Sequence, residues 1–140
     1  MRAFPLIVFL LMPPVSSAQF DPDWARFGVG ETESFILSVD LRSIQIDGGL
    51  GRAMVLENLK QQDKDGTVSI RRQWELDCAK GRYRSLAFWR HGLNGLLSTG
   101  YAPGEWGDAS SNKVIGEAFR GICTFNKSVT RMGPWNPPAK

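Results

Sequence analysis

Two cysteines in 140 residues, Cys78 and Cys123, limit most tightly what this chain can fold into. Cys78 ends a segment whose alternation is the cleanest in the chain. Val68, Ile70, Trp74, Leu76 and Cys78 fall on one side of an extended strand, and Ser69, Arg71, Gln73, Glu75 and Asp77 on the other. Cys123 closes a stretch of different period, in which Val114, Ile115, Ala118, Phe119, Ile122 and Cys123 recur at helical spacing after the capping candidates Asp108, Ser110 and Ser111. Both sulfurs therefore lie on apolar sides. A bond between them would pin the inner face of a helix to the inner face of a strand. The predicted class is α+β: an antiparallel sheet of about six strands with a C-terminal α-helix packed on one face and disulfide-linked to it. Gly116 and Gly121 each cost about 1 kcal/mol relative to alanine in a helix, so this helix depends on docking for its stability.

Whether two cysteines bond or stay as buried thiols depends on compartment. Residues 1–18 have the parts of a signal peptide: Arg2 as the positive start, an apolar run from Ala3 to Met12, and the small residues Ser16-Ser17-Ala18 before a cut. The rival, a membrane anchor, needs roughly 20 apolar residues, and this run stops at Pro13-Pro14 after about 10. Cleavage after Ala18 would leave Gln19 first and no integral membrane segment. No cysteine follows the cut to carry a lipid. The expected location is periplasmic, secreted or at the cell surface, where an even pair of cysteines reads as a disulfide. The expected domains are the signal peptide 1–18, one folded unit at 19–125 and a proline-rich flexible tail at 126–140.

Further strands are expected at Trp24 to Val29, at Ser34 to Asp40 with Phe35, Leu37 and Val39 on one face, and at Ser43 to Asp47 turning through Gly48-Gly49-Leu50-Gly51 into Arg52 to Leu59. Asp65-Gly66 marks the turn before the Cys78 strand. Arg82 to Arg90 returns as a strand rich in aromatics, His91 to Gly95 turns the chain, Leu96 to Tyr101 is extended, and Ala102 to Gly107 is a loop holding Trp106. Arg72, on the apolar side of its strand, is expected to snorkel or pair with a carboxylate, or else to mark a ligand site.

The chemistry these residues allow points to binding. A catalytic mechanism needs a poised residue with a partner, and the single histidine, His91, stands beside Gly92 in a turn with no second histidine. No residue set has metal or cofactor spacing, and Gly28-Val29-Gly30 lacks the third glycine of a dinucleotide loop. Asn126-Lys127-Ser128 matches a glycosylation acceptor and is read as fortuitous. The charges, 17 basic and 14 acidic, are scattered, which argues against nucleic acid as a partner. Alternation leaves Arg71 on a solvent face, with Arg82, Arg84 and Arg90 on the next strand. Arginine and aromatic residues dominate interface hot spots, so Arg71, Arg82, Arg84, Arg90, His91 and Trp106 are the candidate binding residues. The competing view gives these charges only the task of keeping the outer face soluble.

Trp74-Glu75-Leu76-Asp77-Cys78, then Arg82-Tyr83-Arg84, a glycine-containing hairpin, the Trp106 loop and a helix closing on Cys123 follow one another in an order that resembles the surface-adhesin protein E family of Gram-negative bacteria. The resemblance spans roughly Phe35 to Cys123. It implies the same sheet and disulfide-linked helix, a binding role toward host matrix or plasma proteins or envelope proteins, and a capacity to form homodimers. Two features depart from the family: no cysteine at the cleavage point, and no proline before the helix. An alternative function is a periplasmic inhibitor of a host hydrolase such as lysozyme, with the His91 to Gly95 turn entering the enzyme's cleft. Mass spectrometry of the exported protein should find Gln19 at its N-terminus; a product retaining Phe4 to Met12, or extractable only with detergent, would contradict the processing.

Overall fold

In the computed structural model, which describes residues 22–125, the alternating segments become strands of one antiparallel sheet. The signal peptide, the glycosylation match and the tail lie outside the described residues. The strands are β1 (Trp24–Ala25), β2 (Phe35–Asp40), β3 (Gln45–Asp47), β4 (Leu50–Leu59), β5 (Ser69–Asp77), β6 (Arg82–Gly92), β7 (Gly95–Gly100) and β8 (Gly107–Asp108); α1 (Lys113–Cys123) follows. Six strands, about the number expected, run side by side in the order β1-β2-β4-β5-β6-β7, and the short β3 and β8 lie against β4 and β6.

The long strands β4, β5 and β6 carry shorter pieces along their flanks. β2 pairs with the second half of β4 and β3 with its first three residues, the 3-10 turn Leu41–Ser43 stepping the chain from one to the other. On the far side, β7 pairs with the end of β6 and β8 with its start.

Several expectations shift where tertiary contacts override local pattern. The strand expected over Trp24 to Val29 ends at Ala25, because the next residues follow the helix: Val29 donates its amide to Glu117 Oε2 at 3.1 Å and Phe27 packs on Gly121. The β3–β4 turn is Gly48-Gly49 alone, with Leu50 and Gly51 already in β4. His91, Gly92 and Gly95 are strand residues, leaving only Leu93-Asn94 to turn. At the end of the expected Trp106 loop, Gly107 pairs with Tyr83, and the next residue, Asp108, with Arg82. The α1 cap is Asn112, whose Oδ1 accepts from the Val114 and Ile115 amides at 2.9 and 3.2 Å, while Asp108 caps the 3-10 turn Ala109–Ser111.

One face of the sheet meets the helix. Leu37, Val39, Ala53, Val55, Trp74 and Leu76 from the strands close against Val114, Ala118, Phe119 and Ile122, all buried. Arg72 lies at the margin of this face and pairs with Glu57 at 2.9 Å, the ion pair expected of an inward arginine. Cys78 and Cys123 are bonded, their Cα atoms 5.8 Å apart and 45 residues apart in sequence. Closing that loop removes unfolded-state entropy equivalent to about 4 kcal/mol. Gly121 is required by packing: a Cβ there would run into the Phe27 ring.

Replacing Cys78 and Cys123 by alanine should therefore lower unfolding stability in denaturant by about 2–5 kcal/mol; an unchanged midpoint would mean packing alone holds the helix. Gly121→Ala should also destabilise, by about 1–3 kcal/mol, because overpacking against Phe27 outweighs the gain of about 1 kcal/mol in helix propensity. Increased stability in the same titration would refute that ranking.

Candidate functional site

Directly opposed residues of an antiparallel sheet share a face, so the register identifies what the side away from the helix presents. One rung runs Arg52, Glu75, Arg84, and the next Leu50, Asp77, Arg82, Asp108. Glu75 is the hub. Arg84 donates to its Oε1 from Nη2 at 2.7 Å and Nε at 3.0 Å, and Arg52 approaches Oε2 at 3.4 Å. Arg82 Nε donates to Asp77 Oδ2 at 3.3 Å. The guanidinium carbons of Arg82 and Arg84 stand 4.6 and 4.5 Å from the Trp106 ring centroid. Both cations are thus held at once by a carboxylate and by the face of an indole.

Alternation puts Glu75 and Asp77 on the outward side of their strand. Glu75 is only 8 % exposed, because the arginines on its two neighbouring strands and the Trp106 segment cover it. Asp108 turns away from the ladder, accepting from the Ser110 side chain and backbone, contacts that hold its carboxyl below the usual range.

Farther along the same face, Arg71 lies over Trp89 at 4.8 Å, and Trp89 meets Tyr101 edge to face with centroids 6.0 Å apart. The Arg71 Nε is buried and finds no hydrogen-bond partner among the described residues. His91 belongs to the rung Asn58, Ser69, His91, Leu96, which contains no carboxylate.

Arg90 departs from the expected outer row. Between Gln73 and Trp74 the β5–β6 register shifts, Trp74 facing Ser85 and Gln73 facing Ala87, so Leu86 is the extra residue of a bulge. The insertion reverses the parity of β6. Arg90 consequently shares the helix-side face with Ile70 and is bound into the β4–β5 loop, donating to Thr67 Oγ1 at 2.5 Å and lying 3.3 and 3.5 Å from Asp65 and Asp63. The Thr67 amide is the chief contact holding the Asp63 carboxyl below its usual range. The structure thus gathers Arg82, Arg84 and Trp106, sets Arg71 and His91 apart on the same face, and places Arg90 on the other.

Sequence reasoning did not identify Arg52 as a partner or Glu75 as the hub, since both roles depend on strand register. The His91 to Gly95 turn included Leu93, but sequence reasoning did not mark Leu96 and Leu97, which are exposed beside it at the β6–β7 hairpin. Three leucines within five positions were the available signal. Among the described residues no three of His, Cys, Asp and Glu gather as a metal site, and no helix is long and apolar enough to cross a membrane.

Two solved structures of Haemophilus influenzae protein E share this fold. The selenomethionine form aligns with a TM-score of 0.55 at 14 % identity, covering 76 % of this chain and 94 % of that one. Crystal form II aligns with a TM-score of 0.50 at 16 % identity, covering 71 % and 96 %. No curated protein matches the sequence. The family model described as Surface-adhesin protein E matches residues 24–124, which reach from β1 to the residue after α1. With most of its length and every strand of the sheet inside that match, the chain belongs to the surface-adhesin protein E family.

Proposed function

We propose that this protein is an exported, non-catalytic binding module that recognises a host matrix, plasma or envelope protein through the outer sheet face. The observation that carries this reading is the stacking of Arg82 and Arg84 on Trp106 while both are tied to Glu75 and Asp77. Long cationic side chains ordinarily lose rotamer freedom on docking. Here that ordering is already in place, and a partner meets two guanidinium edges and an indole, the residue types that most often anchor interfaces. Membership of an adhesin family supports the same role. The periplasmic inhibitor alternative draws on the β6–β7 tip, where Leu93 is 77 % exposed and suited to entering a cleft.

The test is capture from fractionated host plasma and matrix proteins by the immobilised mature domain, followed by affinity measurement on the captured protein. The double change Arg82→Ala with Arg84→Ala, and separately Trp106→Ala, should each weaken binding by more than about 1 kcal/mol. Circular dichroism should show the fold retained. Binding equal to wild type in both variants would remove the ladder from recognition. Inhibition of lysozyme that Leu93→Ala abolishes would establish the alternative.

A further inference from the structure

Between α1 and the inner face of β4, β5 and β6 lies a cleft of about 250 Å³, lined by Glu57, Arg72, Trp74, Tyr83, Ser85 and Ile115. The inward arginine and its carboxylate form its charged part. They are joined by Arg72 Nε donating to Glu57 Oε1 at 2.9 Å, which leaves both terminal nitrogens of Arg72 and Oε2 of Glu57 without a hydrogen bond among the described residues. Tyr83 packs on Trp74 with ring centroids 4.8 Å apart, and Ile115 lines the cleft from the helix. Burial, and then the charge of Glu57, push the Tyr83 hydroxyl above its usual range, so it remains a donor at neutral pH. Ser85 Oγ donates to the Ala87 carbonyl at 3.2 Å and keeps its lone pairs to accept.

We propose that this cleft binds a single N-acetylated sugar residue, an N-acetylhexosamine, whose acetamido carbonyl accepts from Arg72 and whose amide N–H donates to Glu57. The pairing of the two side chains selects that chemistry. A guanidinium and a carboxylate that neutralise each other offer no net charge to an ionic ligand, yet their unused positions supply donors and an acceptor on one bonded pair. The complementary group is neutral and carries an acceptor beside a donor, which is a carboxamide. Size limits the remainder: drug-sized ligands occupy pockets of roughly 300–1,000 Å³, so this cleft suits one ring with short substituents. The other polar groups that line it are the hydroxyls of Tyr83 and Ser85, partners for the hydroxyls of a sugar ring, while Ile115 and the Trp74–Tyr83 pair give the acetyl methyl and the apolar face of the ring a surface to cover. The cleft is on the face opposite the Arg82–Arg84–Trp106 ladder, and neither reading depends on the other.

The experiment is an amide-resolved NMR titration of the mature protein with N-acetylglucosamine and N-acetylgalactosamine, against glucose, galactose and a capped glutamine. At least one acetylated sugar should shift the amides of Arg72, Tyr83 and Ile115, and its parent hexose, which lacks the acetamido group, should bind at least about ten-fold more weakly. Tyr83→Phe keeps the ring against Trp74 and should weaken binding about three-fold, the effect of one neutral hydrogen bond. Glu57→Leu with Arg72→Met removes both charges together, leaving neither unpaired, and should weaken it at least about ten-fold; Arg82→Ala with Arg84→Ala should leave it unchanged. No shift at these three residues with either acetylated sugar, or equal affinity for the parent hexose, would overturn the proposal; both arms use wild-type protein and do not depend on a variant folding. Shifts there with the capped glutamine and with neither sugar would give the cleft to a peptide side chain and equally refute a sugar.

Discussion

Burial of the α1 apolar stripe against β2, β4 and β5 is the constraint on which the rest of the molecule depends. Among the described residues, Val114, Ala118, Phe119 and Ile122 have no other apolar surface to cover, and the sheet has no other layer to close its inner face. An eleven-residue helix with two internal glycines is marginal alone. The Cys78–Cys123 bond holds its C-terminal end to the end of β5, Asn112 caps its N-terminal end, and Phe27 seats into the space left by Gly121. These attachments come from widely separated parts of the chain. The helix is therefore a product of the tertiary fold.

With one face committed to the helix, the other must solve a different problem. Strands of this length present a row of side chains to water, and here that row is organised by opposite charge and by cation–aromatic stacking. Glu75 draws Arg52 and Arg84 from the flanking strands, Asp77 draws Arg82, and Trp106 provides a flat surface for two guanidinium groups. The same arrangement that screens the buried Glu75 also orders the arginines, so stabilisation of the outer face and preorganisation for a partner arise from one set of contacts. Solubility and recognition both draw on that geometry.

The bulge at Leu86 shows how a single residue redistributes function. It lets Leu86, Ala87 and Trp89 all be buried while dividing the β6 arginines, Arg82 and Arg84 on the outer face and Arg90 on the inner. Because the side-chain period of a strand is two, one inserted residue exchanges the faces of everything after it.

The sequence by itself determined the class of fold. Alternation from Val68 to Cys78, helical spacing from Val114 to Cys123, and the cysteine on the apolar side of each are local properties, legible because strand and helix have fixed and different periods. The family followed from the same segments. Only the tertiary structure decided which residues stand beside one another: that Glu75 is shared by Arg52 and Arg84, that Trp106 lies under two arginines, that Asn112 rather than Asp108 caps the helix, and that Arg90 leaves the outer row. Strand register and a one-residue bulge are set by the summed packing of both faces, which no short window of sequence contains. Periodicity shows which way a side chain points along its own strand, and the partner across the gap is chosen by the whole sheet.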